Sequence, residues 1–195
     1  MNYIKEFWNW FSENCQKFDN DFENTDLLYE LDKRINELGE FSWEIGPGIT
    51  SPNSLVISPG GNIDLLPCTK EIIGQSQPCL GWEYYYAKPP KEWDLLFDFE
   101  TRDGLKVHVD ASLWEYVLLR YEDGMFEIII EVTNIGELNE NDKLAIVEIL
   151  LDGVIGEELR MTRICLIDVV EEFENEYGNK ASNIKYLLKH INSLL

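Results

Sequence analysis

The sequence predicts an α+β fold, a mainly antiparallel sheet covered by helices, and three observations carry that prediction. Apolar residues recur at helical spacing at both ends of the chain. The middle alternates apolar and polar residues strictly and is punctuated by two Asp-Gly pairs, Asp103-Gly104 and Asp123-Gly124. Strand and helix patterns are grouped rather than interleaved, which favours α+β over a parallel doubly wound sheet.

The first helix is expected from Tyr3 to Phe18, with Ile4, Phe7, Trp8, Phe11, Cys15 and Phe18 on one face and Trp10 at its edge. A second runs from Thr25, read as the N-cap, to Leu38, with Gly39 as the C-terminal stop. A short acidic joint makes the two a helical hairpin. FSWEIGPG and NSLVISPGG then read as strands with tight turns, and residues 63–74 as a short helix with Leu66, Ile72 and Ile73 inward. GWEYYYAKPP reads as a strand that ends before Pro89 and Pro90, which have no N–H to give a ladder.

LLFDFE and LKVHVD form the first hairpin, and WEYVLLRY with MFEIIIEV the second. After Asn139 a helix carries Leu144, Val147, Leu151 and Val154, widened by Ile146 and Leu150. The run from Glu158 to Val169 is β-branched and alternating and is expected as a strand, and residues 183–195 as a final helix. No repeat and no linker interrupts the chain, so residues 1–195 read as a single α+β domain.

Charge narrows the function classes. Against 16 Lys and Arg stand 37 Asp and Glu, a formal net charge of -21. Such a surface repels phosphate backbones and anionic lipid heads, and no basic stripe is present to offset it. Nucleic acid and membrane surfaces are therefore not expected partners; a basic protein is. No apolar run approaches the roughly 20 residues of a membrane span, and MNYIKEFWNWF lacks the layout of a secretory signal. Cys15, Cys68, Cys79 and Cys165 show no paired spacing, and together these features predict free thiols in a reducing cytoplasm.

The inventory for catalysis is thin. His108 and His190 are far apart, so no metal site and no bound cofactor is expected, and no Ser or Cys has a nucleophile motif around it. Paired carboxylates are the remaining route: Glu44 follows Trp43, Glu83 follows Trp82, and Glu157 follows Gly156. An acid buried beside an indole can have a raised pKa and serve as a general acid. The competing reading is that these glutamates point outward from strands whose tryptophans point inward. Among the aromatic residues, Tyr85 and Trp93 are expected to be exposed and to contact a partner.

The segments FWNWF, WEIGP, LVISPGG, GWEYYYAKPP and ILLDGVIGEE together resemble an uncharacterised bacterial family of small acidic α+β proteins. That resemblance implies the fold and a bacterial cytosolic setting. In fold and charge the chain is also similar to immunity proteins that accompany polymorphic bacterial toxins. The leading expectation is thus a non-enzymatic, immunity-like module that binds a basic partner. The alternative is a small hydrolase-like enzyme with carboxylates in a tryptophan-lined cleft, and a third reading is a homo-oligomer joined through a sheet edge or the last helix.

Overall fold

The computed structural model describes residues 3–18, 22, 24–178 and 180–195. The fold is α+β, with an N-terminal helical hairpin, a C-terminal helix and three mostly antiparallel sheets. Its contacts group into two compact units, Met1–Lys88 and Pro89–Leu195.

In the first unit, helix α1 (Tyr3–Phe18) has the predicted bounds and buries Phe7, Trp8, Phe11, Cys15 and Phe18. Helix α2 (Thr25–Leu38) buries Leu31 and Ile35. Its cap is Asn24, whose side chain accepts from Leu27 N at 3.1 Å, so Thr25 is the first helical residue rather than the cap. The acidic joint between the helices falls largely on residues 19–21 and 23, outside the described residues.

Strands β1 (Ser42–Pro47) and β2 (Asn53–Ser58) form an antiparallel pair. Beyond a 3-10 turn at Ile63–Leu65, helix α3 (Leu66–Gly74) carries the chain to β3 (Trp82–Tyr85). A helical crossover returns the chain in the same direction, so β3 pairs with β2 in parallel, a pairing not foreseen. Residues in register share a face, which sets Trp43, Ile45, Leu55, Ile57, Trp82 and Tyr84 toward the helices and Glu44, Ser54, Val56, Glu83 and Tyr85 away from them. The core between is dense in rings: Trp8 meets Tyr84 at 4.8 Å and Phe11 meets Trp82 at 5.1 Å, both edge to face. Trp8 Nε1 donates to Ile72 O at 2.7 Å, joining α1 to α3.

Cys15 and Cys79 are bonded as a disulfide, while Cys68 and Cys165 are free and exposed. This corrects the expectation that all four thiols are free. The partners are 64 residues apart and meet only because the segment before β3 runs along α1. A disulfide belongs to oxidising surroundings, so the cysteines no longer support the expected reducing cytoplasm. No helix among the described residues is long and apolar enough to cross a membrane.

In the second unit, β4 (Leu96–Glu100) and β5 (Lys106–Asp110) form the first predicted hairpin. Phe97 with Val109 and Phe99 with Val107 lie on its apolar face, while Leu105 in the turn is 57% exposed. Strands β6 (Glu115–Arg120) and β7 (Phe126–Glu131) form the second hairpin as expected.

Helix α4 (Glu140–Ile155) is capped by Asn139, whose side chain accepts from Asp142 N at 3.0 Å. Its buried face follows the predicted stripe, with Ile146, Val147, Leu150, Leu151 and Val154 inside, except that Leu144 is 38% exposed. Gly156, at φ 85°, closes α4 and opens helix α5 (Glu157–Arg163). The expected strand therefore begins only at β8 (Ile164–Val170). EELRMTR consists mostly of helix formers, with acids in its first turn and arginines in its last, and that outweighs the alternation.

Beyond the short helix α6 (Asn175–Gly178), strand β9 (Ser182–Asn183), a 3-10 turn and helix α7 (Leu187–Leu194) end the chain. The four-stranded sheet runs β8-β7-β6-β9, with only β7 and β8 parallel. Tyr116, Phe126, Ile128 and Ile130 from this sheet share one core with Ile146, Val147, Leu150 and Leu151 of α4 and Leu187 and Ile191 of α7.

Candidate functional site

The expected carboxylates are best followed on the polar face of the three-stranded sheet. Glu44 on β1 is in register with Val56 and, one strand further, Tyr85; Glu83 on β3 is in register with Ser54 and Gly46. The two acids thus share a face but are two strands apart, roughly 10 Å at ordinary strand spacing. Glu44 Oε1 is 3.6 Å from Lys88 Nζ.

Glu83 holds the loop between β1 and β2. Its carboxylate accepts from Ile49 N–H, from Thr50 N–H at 3.1 Å and from the Thr50 hydroxyl. A Cβ on Gly48 would stand 2.5 Å from Glu83 Oε1 and 2.5 Å from Ser51 O, so the loop closes on the carboxylate only with glycine there. Desolvation pushes the Glu83 pKa upward, but the bonds from Thr50, Ile49 and Tyr85 together outweigh it and hold it below the usual 4.5. A general acid needs the opposite shift.

Tyr85 is half-buried, and its hydroxyl is bonded to Glu83. Desolvation, with the neighbouring Glu83 charge, pushes its pKa up to about 12. Trp93 is half-buried too: it packs against Phe97 at 5.6 Å between ring centres and against Gly153 of α4. Neither has the open exposure expected of it. The large aromatic residues that are exposed include Tyr3, Tyr29, Tyr121 and Tyr186.

Glu157 is fully buried at the start of α5. Beside it Arg160 donates to Asp152, Nε to Oδ1 at 2.5 Å, and reaches Glu148 at 3.4 Å. Desolvation lowers the Arg160 pKa, but Asp152, Glu148 and Glu157 outweigh that and raise it. One guanidinium therefore gathers three acids where α4 turns into α5, an arrangement that fixes a helix junction. The motif Gly156-Glu157 gave no sign that Glu157 points inward.

Each histidine is bonded through Nδ1. His108 Nδ1 is 2.9 Å from Asp98 Oδ1, its cross-strand neighbour, and His190 Nδ1 is 2.9 Å from the buried Tyr116 hydroxyl. Ser112 Oγ, near His108 in sequence, donates instead to Asp110 at 2.6 Å, so serine and histidine are each bonded to a different acid and do not align as nucleophile and base. Among the described residues no three His, Cys, Asp or Glu side chains are grouped to hold a metal ion.

Around β4 and β5 the exposed side chains include Asp94, Asp98, Glu100, Asp103 and Asp110, interrupted by Arg102, Lys106 and His108. This acidic ribbon is visible in the sequence only as alternation. No family model, curated protein or solved structure matches the chain.

Proposed function

We propose that the chain is a non-enzymatic protein-binding module, immunity-like in kind, that recognises a basic protein through its acidic surface. The net charge of -21 carries this reading. A surface of that sign steers a basic partner on approach and disfavours acidic ones. The exposed acids on and around β4 and β5 offer such a partner a ribbon of carboxylates, and exposed tyrosines supply rings with polar tips.

The three acids of the enzymatic alternative have other work. Glu83 clamps a loop with a lowered pKa, Glu44 faces Lys88, and Glu157 lies buried beside Arg160. The Glu83 shift runs opposite to what acid catalysis asks of a carboxyl, and Glu157 is closed off from solvent.

The test is binding of a purified basic, nuclease-like chain encoded beside this one. Affinity is expected to weaken at least tenfold between about 50 mM and about 500 mM salt as the charges are screened. Binding that ignores salt, or a cognate partner that proves acidic, overturns the reading.

A further inference from the structure

We propose that the Cys15–Cys79 disulfide is a redox-operated latch, whose reduction by a dithiol frees residues 75–81 from α1 and leaves the core of the first unit folded. Both ends of this segment are fixed independently of the disulfide. On the α3 side, Gln75 N and Ser76 N donate to Ile72 O and Ile73 O, and Trp8 Nε1 bonds Ile72 O. On the β3 side, Asn53 N donates to Gly81 O, and Trp82 begins the strand.

Between these anchors the segment is held to α1 by the disulfide and by exposed side-chain bonds, Gln77 Nε2 to Asn9 Oδ1 at 2.8 Å and Gln16 Nε2 to Leu80 O at 3.0 Å and to Cys79 Sγ at 3.5 Å. Exposed bonds of this kind exchange readily with water, so the covalent link dominates. Leu80, next to Cys79, is 90% exposed and adds no buried surface to hold the segment down.

The two sulfurs are unequal. Cys15 is 1% exposed on the buried stripe of α1, whereas Cys79 is half-buried beside the open Leu80. A dithiol thiolate therefore attacks Cys79 Sγ; the Sγ–Sγ bond breaks, and Cys15 leaves with the electron pair and takes up a proton. The second thiol of the dithiol then displaces Cys79, which is protonated in turn, and the reagent departs as a cyclic disulfide. Two electrons and two protons pass to the protein. The reduced Cys15 remains in the core as a small apolar side chain, a role buried cysteine fills well, so the rings around it keep their packing.

The full-length oxidised chain should take up two alkyl groups from iodoacetamide, at Cys68 and Cys165, and a third, at Cys79, after treatment with dithiothreitol without denaturant, Cys15 staying shielded in the core. In the same samples, backbone order parameters of Gln77, Cys79 and Leu80 should fall from about 0.85 to below about 0.6 on reduction, while those of Leu55, Val56 and Ile57 in β2 stay high. A Cys79→Ser variant should show the reduced pattern of order parameters without reductant. A third alkylation before reduction, no third alkylation after it, unchanged order at residues 77–80, loss of order in β2 alongside them, or an oxidised-like pattern in the variant would each overturn the latch.

Discussion

Trp93 rests against Gly153 so closely that a Cβ on the glycine would come 2.6 Å from indole Cζ2 and 3.0 Å from Cε2. Lys91 N donates to Gly153 O at 2.7 Å, so the chain entering the second unit is seated on α4 at Gly153. In an open helix Gly→Ala gains up to about 1 kcal/mol. Here overpacking should win, and Gly153→Ala should destabilise by about 1–2 kcal/mol in urea unfolding. Adding Trp93→Leu should recover part of that loss, because the two sites are in contact and will not be additive.

Glu83 makes a titration test of the loop it clamps. Its folded-state pKa lies below the usual 4.5, so the stabilisation it gives is fully present above that value and is lost as pH falls through the lowered one. The amide resonances of Ile49 and Thr50 should titrate together with a midpoint below 4.5. A midpoint above it would contradict the clamp. Glu83→Gln should abolish the titration and weaken the loop by about 1–2 kcal/mol, the scale of a lost charge-assisted bond set.

These features differ in how far the sequence announces them. α1, both hairpins and the cap at Asn139 are written in local signals: a 3.6 period, Asp-Gly pairs, a side chain able to accept from the first turn. The α5–β8 boundary is misread because alternation and helix propensity conflict over residues 158–163, and tertiary contact between Arg160 and Asp152 decides the outcome. The disulfide, the clamp and the Trp93–Gly153 seat join residues 64, 33 and 60 apart, and no local pattern encodes them. Outward-pointing glutamates on β1 and β3 were legible from alternation alone, but not the use to which Glu83 is put.

Arg160 holds the α4–α5 junction, and removing it leaves Asp152 and Glu157 buried with Glu148 nearby. Arg160→Met should therefore destabilise by about 3–5 kcal/mol, the range for stranding a buried charge. Asp152→Asn should cost less, because Arg160 keeps Glu148 and Glu157 beside it. Urea midpoints for the two variants check the order.

Two adjacent tyrosines should respond with opposite signs to loss of the same atom. Tyr84 points into the aromatic core against Trp8 and Phe11; its hydroxyl is buried with no hydrogen-bond partner among the described residues, and burial pushes its pKa up to about 12. Deleting that oxygen removes an unsatisfied polar group, so Tyr84→Phe should stabilise the first unit by about 1 kcal/mol. Tyr85 faces the other way and supports Glu83, so Tyr85→Phe should loosen the clamp, lose about 1 kcal/mol and move the Ile49 and Thr50 titration toward the usual carboxylate range. If both variants shift stability in the same direction, the assignment of the two faces of β3 is wrong, because only opposite faces give one tyrosine a ring cluster and the other a carboxylate.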